Sequence, residues 1–259
     1  MDGYCDSPYR QIVKKIAPET VVFSEFYSAD GLVHSKDLQK RALTHSTSEY
    51  PLIIQIFGKD PLMFAEAARI IEGYGITGID INMGCPAKKV VKSGHGSSLM
   101  INRDTAFRIV EEMSKAVKIP VSVKTRLGWE NPDLLVDFVN ADLTGIYDLK
   151  QHVGIPVICN GDVASYGDGV AKMVHPENRK QKTEDIIQEQ EILGSSGFAI
   201  PNSGLQIQRN EIYKNLDGFM IGRASFGNPW CFLPGNYTPT LAEILQTMVE
   251  HGDLLWQVK

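Results

Sequence analysis

The chain has 259 residues, 43% hydrophobic and 22% charged, with a formal net charge of −5. That length is enough for one (β/α)8 barrel with a large core, since such domains take about 250 residues. The acidic balance gives no support to a surface devoted to nucleic-acid phosphates, so any RNA contact must be local, and no apolar run approaches the roughly 20 residues needed to span a bilayer.

Apolar strand-like runs alternate with amphipathic helix-like segments, the pattern of a parallel α/β fold. Strands are expected at Val21–Phe26, Leu52–Phe57, Gly78–Asn82, Val121–Lys124, Val157–Cys159 and Gly218–Ile221. Asp60-Pro61 opens a helix whose inner face is Ala65, Ala68, Ile70 and Ile71, and Gly73 and Gly75 end it. Asn102 or Asp104 caps the next helix, where Phe107, Val110, Met113 and Val117 recur at helical spacing. Asp133 to Val139 and Ile146 to Val153 read as helices, and Leu241–Val258 as the last one. Trp129, Trp230 and Trp256 read as core or rim packing, as do Glu25, Tyr27 and His34 as structural or rim residues.

Six strands are legible where a barrel needs eight. MDG at residues 1–3 reads as the tail of a first strand, and the 25 positions from Pro132 to Pro156 are too few for a helix, a strand, a loop and a further helix. Strands one and six are therefore expected to be missing. Conversely, residues 174–215 form a charged then turn-rich stretch before the last strand, which reads as an insertion or a disordered arm. Cys5, Cys85, Cys159 and Cys231 contain no C-x-x-C pair, so neither a zinc site nor a disulfide framework is expected, and the thiols are expected to be reduced. MDGYCDSPYR lacks the basic and apolar parts of a secretory signal, which points to the cytoplasm.

The most informative stretch is GIDINMGCPAKKVVKSGHGSSLM at residues 78–100. Its first six residues read as a buried strand, and Gly84-Cys85-Pro86 breaks that strand and exposes a thiol in a loop carrying Lys88, Lys89, Lys92 and His95. A free cysteine is commonly a small core residue, but the Pro, lysines and glycines around this one favour chemistry. The lysines, His95 and Arg126 are the local candidates for an RNA contact, against the plainer reading of a solvated charged loop. A thiol with a pKa of about 8.5 is mostly protonated near neutral pH and can act as a general acid, whereas neighbouring lysines favour thiolate and a nucleophile.

DINMGCPAKKV followed by GHGSSLM resembles the active-site segment of tRNA-dihydrouridine synthases. MDGYCDSPYRQ at 1–11, PLIIQIFG at 51–58, VSVKTRLGW at 121–129, PVICNGDV at 156–163 and GFMIGRASFGNPW at 218–230 resemble further blocks of that family in the same order. The resemblance implies an FMN-binding TIM (β/α)8 barrel over residues 1–240, incomplete at strands one and six, the latter with its His-Gly-Arg block. Residues 241–259 would then start a truncated C-terminal helical domain. It implies reduction of a tRNA uridine to 5,6-dihydrouridine with FMN and NADPH, by a monomer without membrane attachment.

Carried over residue by residue, Cys85 is the proton donor to uracil C5, and Lys124 faces the pyrimidine edge of the flavin, where a fixed ammonium stabilises negative charge. Gln55 hydrogen-bonds the isoalloxazine, unless it is a satisfied core glutamine. Met1 and Asp2 belong to the flavin-contacting loop after strand one. Asn160, Gly161, Asp162, Gly222 and Arg223 lie at the ends of the last two strands, where flavin barrels hold phosphate with backbone N–H groups and a guanidinium. Asn82 orients the uracil or the loop, while Lys88, Lys89 and Arg126 contact the substrate RNA. Two alternatives stay open: another FMN-dependent barrel acting on a small pyrimidine or enone, and a truncated or degenerate copy without catalysis. Missing strands favour the latter through open edges and unpaired backbone groups.

Overall fold

The computed structural model describes residues 3–85, 94–125, 146–147, 150–151, 153–175, 214–235 and 237–258. Met1, Asp2, Lys88, Lys89, Lys92, Arg126, Trp129, the segment 133–145 and most of the expected insertion lie outside them. The chain forms two compact units, one of residues 1–11 and 21–138, the other of residues 12–20 and 139–259.

The first unit holds four parallel strands in the order β1 (Val22–Ser28), β2 (Leu52–Phe57), β3 (Gly78–Met83) and β4 (Val121–Thr125). Parallel order without hairpins requires a crossover after each strand. Helix α1 (Ser7–Ile16) precedes β1 in the sequence, α2 (Ala29–His34) and α3 (Lys36–Leu43) follow β1, α4 (Pro61–Gly73) follows β2, and α5 (Arg103–Ala116) follows β3. Asp60 caps α4 by accepting from the Leu62 amide, with Pro61 in the first turn as its missing N–H permits. Asn102, not Asp104, caps α5 through the Thr105 amide.

One face of the sheet is apolar. Leu52, Ile54 and Ile56 of β2 and Ile79, Ile81 and Met83 of β3 are each at most 1% exposed. Phe64, Ala65, Ala67, Ala68 and Ile71 of α4, with Ala106, Ile109 and Met113 of α5, are the buried side of the helical layer. Each fully buried aliphatic side chain contributes about 1.5–3 kcal/mol relative to exposure. Two helix-face expectations need correction. Ile70 is only half-buried, and Phe107 is 65% exposed, so the inner stripe of α5 runs through Ala106 and Ile109 rather than Phe107 and Val110. Both readings keep helical spacing; packing against a neighbour selects the stripe with small Ala106, which lets two helices approach closely.

The second unit holds a two-stranded parallel sheet of β5 (Ile158–Asn160) and β6 (Gly218–Met220), with α6 (Tyr166–Met173) between them in sequence and α7 (Leu241–Val258) near its end. α6 lies flat on the sheet because Gly169 has no side chain: a Cβ there would meet the Phe219 ring at 2.2 Å. Asn215 lies beside His175, its side-chain oxygen accepting from the His175 amide at 2.9 Å. Leu216 then bonds back to the Met173 carbonyl at 2.8 Å.

All six expected strands exist, with ends shifted by one or two residues, and the last helix has the expected bounds. The parallel α/β part of the expectation holds: among the described residues the strands make a four-stranded and a two-stranded sheet, each parallel. β4 is an edge strand among those residues, which is why Ser122 and Val123 stand exposed.

Candidate active site

The sheet of the first unit has a second face, and it is polar. In parallel register Gln55 stands opposite Asp80, Asp80 opposite Ser122, and Asn82 opposite Lys124. Cross-strand partners share a face, so these side chains form one polar row on the side opposite the apolar core. Gln55, Asp80 and Asn82 are 7%, 2% and 7% exposed. Buried polar groups at this level need partners, and each has them.

β3 delivers its last residue to a sharp turn. The Asn82 side-chain oxygen accepts from the Gly84 amide at 3.1 Å and from the Cys85 amide at 2.5 Å, an Asx-type turn that ends the strand. The Cys85 carbonyl in turn accepts from the Ser97 amide at 3.1 Å, tying the turn to the 3-10 segment Gly96–Met100. Both main-chain groups of Cys85 are thus held, at the C-terminal end of a parallel strand. Cys85 is half-buried, whereas Cys5, Cys159 and Cys231 are buried. Burial raises the Cys5 thiol pKa and pushes that of Cys231 up to about 12, so these two stay protonated and inert.

The hydrogen bonds continue inward from Asn82. Its Nδ2 donates to Gln55 Oε1 at 2.8 Å, and Gln55 Nε2 donates to Asp80 Oδ2 at 2.6 Å. Ser122 Oγ donates to Asp80 Oδ1 at 2.7 Å. Burial raises the Asp80 pKa from 3.8 to about 6, against the opposing effect of the Ser122 and Gln55 hydrogen bonds and the Lys124 charge. Asp80 is therefore largely ionised at pH 7. Lys124 is half-buried at the end of this row, close enough for its charge to be felt at Asp80.

His95 packs edge-on against Phe57, with ring centroids 5.8 Å apart. Burial and the nearby Lys59 lower its pKa, which makes it a weaker charged partner for a phosphate.

In the second unit, Asn160 ends β5 and the chain turns through Gly161 and Asp162 at φ of 135° and 47°. Among the described residues nothing lies within 4 Å of where a Cβ on Gly161 would project, which leaves its backbone open to them. Gly222 follows β6, and Arg223 opens a short 3-10 turn. Arg223 Nη2 donates to Asp162 Oδ1 at 2.5 Å, with the two side chains 80% and 84% exposed. This pair links the two strand ends; Asp162 orients the guanidinium.

Sequence reading picked out Gln55, Asn82, Cys85 and Lys124, and the structure brings the first three into one hydrogen-bonded chain, with Lys124 opposite Asn82. It gave no role to Asp80, Ser122 or Ser97. The first two carried a legible signal, a polar residue at every second position of strands whose other positions are aliphatic. Among the described residues no group of His, Cys, Asp and Glu is arranged to hold a metal ion, and no helix is long and apolar enough to cross a membrane.

A family model for dihydrouridine synthase (Dus) matches residues 1–141. A Rickettsia conorii protein named Probable tRNA-dihydrouridine synthase is 30% identical over 98% of this chain and 76% of its own length. A Synechocystis protein named tRNA-dihydrouridine(20/20a) synthase is 28% identical over 100% of this chain and 80% of its own. A Staphylococcus aureus protein named Probable tRNA-dihydrouridine synthase is 30% identical over 98% and 75%. Similarity that runs across nearly the whole chain gives the degenerate-copy alternative no support. With the family model covering more than half of its residues, the chain belongs to the dihydrouridine synthase family and is an enzyme of that oxidoreductase type.

Proposed function

We propose that this protein reduces a uridine of tRNA to 5,6-dihydrouridine, with FMN as cofactor, NADPH as electron source and Cys85 as proton donor. The observation that carries the reading is Cys85 itself: a half-exposed thiol at the end of a parallel strand, with its amide and carbonyl both fixed. The relatives' names support the choice of tRNA as substrate.

The residues present fit a flavin. A polar row of amides ending in the half-buried Lys124 suits a planar heterocycle with donors, acceptors and a negatively charged edge. The open backbone at Gly161 and the exposed, oriented Arg223 suit an anionic phosphate. On this reading Gln55 and Lys124 hold the ring, and Asn160, Gly161, Gly222 and Arg223 hold the phosphate. Asp162 acts through Arg223, because its own carboxylate would repel the anion. Met1 and Asp2 complete the flavin contacts, and Lys88, Lys89 and Arg126 contact the RNA. When bound, FMN supplies the hydride that reaches uracil C6, using electrons from NADPH.

Cys85 does the protein's part of the chemistry. Its S–H proton passes to C5 as hydride arrives at C6, the sulfur keeps the bonding pair as thiolate, and water returns the proton. Asn82 serves the loop, since its oxygen is used by the Gly84 and Cys85 amides. The enzyme is proposed to work as a cytoplasmic monomer. The test is dihydrouridine in tRNA from a strain stripped of its own synthases and supplied with this chain, read by nucleoside mass spectrometry. Dihydrouridine should appear, and Cys85→Ala should lower it at least tenfold while the purified variant keeps its visible flavin absorbance. Full activity in Cys85→Ala would remove the cysteine from the mechanism.

A further inference from the structure

We infer that Asp80 is a positioning residue for Cys85, acting through a one-way chain of hydrogen bonds in which it is the final acceptor. The direction is forced from the far end. The Gly84 and Cys85 amides can only donate, so the Asn82 atom they meet must be its oxygen. Asn82 therefore presents its NH2 to Gln55, at 2.8 Å, and the Gln55 atom it meets must be the amide oxygen. Gln55 in turn presents its NH2 to residue 80, at 2.6 Å, which must accept. An acceptor at Asp80 Oδ2 closes the chain.

The other Asp80 oxygen is held by Ser122 Oγ at 2.7 Å, which fixes the carboxyl plane. Among the described residues Lys124, opposite Asn82 on the neighbouring strand, is the charged group that faces this row, and the other side chains bonded to Asp80 are neutral. A carboxylic acid protonated on the Ser122 side would still accept from Gln55, so the chain persists in either protonation state.

Removing the acceptor leaves a buried amide N–H unpaired, and a flip of Gln55 to relieve it would oppose two NH2 groups at Asn82. The consequence travels to the Cys85 main chain, because each link has only one satisfied orientation. The catalytic meaning rests on the proposed role of Cys85 as proton donor, but the hydrogen-bond chain does not.

The experiment is residue-resolved amide hydrogen exchange on the full chain, together with alkylation of Cys85 by iodoacetamide followed by mass spectrometry. Asp80→Ala should speed exchange of the Gly84 and Cys85 amides at least tenfold while the Ile54 and Ile81 amides stay within threefold of wild type. Gln55→Ala should match it, and the double variant should exceed neither single one. Asp80→Asn, which can still accept from Gln55 and give its NH2 to the Ser122 oxygen, should restore exchange to within threefold. The Cys85 alkylation rate should change in Asp80→Ala and return in Asp80→Asn. Unchanged Gly84 and Cys85 amides in Asp80→Ala, additive effects in the double variant, or equal loosening throughout β2 and β3 would each overturn the inference. A wild-type chain with this exchange pattern but no dihydrouridine formation supports the positioning role and sinks the proposed reaction.

Discussion

Asp80 should cost this protein stability at neutral pH, and replacing it with Asn should recover that cost. The carboxyl is 2% exposed, and its pKa rises from 3.8 to about 6 on folding because burial disfavours the charged form. A raised folded-state pKa means that folding takes up protons, so the stability from this group is fully present below about pH 4 and lost as pH rises through about 6. A rise of that size corresponds to about 3 kcal/mol. Asp80→Asn resembles the protonated acid in shape and charge and lacks the titration. Urea unfolding of both proteins from pH 4 to pH 7.5 should therefore give similar stabilities at the acid end. At the neutral end the variant should be more stable by up to about 3 kcal/mol. The comparison cancels other titrating groups shared by the two chains. A stability difference independent of pH, or one that grows in the wild type's favour toward neutral pH, would refute the reasoning. Stability given up for a polar group fixed in one arrangement is a common exchange.

Glu49→Ala should destabilise the first unit by about 3–5 kcal/mol, because it leaves the Arg10 charge buried without the partner it holds at 2.6 Å; an unchanged urea midpoint would contradict this. Met113→Ala should cost about 2–5 kcal/mol, whereas Phe107→Ser should fall within about 0.5 kcal/mol of wild type, and the reverse order would put the inner stripe of α5 back at Phe107. Arg223→Ala should weaken FMN binding at least tenfold by fluorescence titration. Its stability change should stay under about 1 kcal/mol, since the Asp162 pair is solvent-exposed, and equal FMN affinity would remove Arg223 from the phosphate site.

The elements were legible in the sequence because each carries a local signal. Leu52 to Phe57 reads as a strand from its own β-branched run, Asp60-Pro61 announces a helix start through cap chemistry, and Gly84-Cys85-Pro86 ends a strand wherever it stands. The reading of α5 held at Met113 and failed at Phe107, for the opposite reason. Helical spacing is satisfied by Phe107 with Val110 and equally by Ala106 with Ile109, and only contact with neighbours decides which stripe is inside.

The site divides along the same line. The sequence by itself determined that a thiol would sit at a strand end, that Lys124 would close the next strand and that glycine turns would follow β5 and β6. Each of those statements depends on a residue and its immediate neighbours. Tertiary structure decided what Gln55 and Asp80 do. They are 25 positions apart in the chain and become neighbours at 2.6 Å only when β2 and β3 pair in parallel register. A slip of one residue would send either strand's polar side chains to the opposite face. Hydrogen-bond direction is a property of that pairing, because an amide side chain has two possible orientations until its partners on adjacent strands select one.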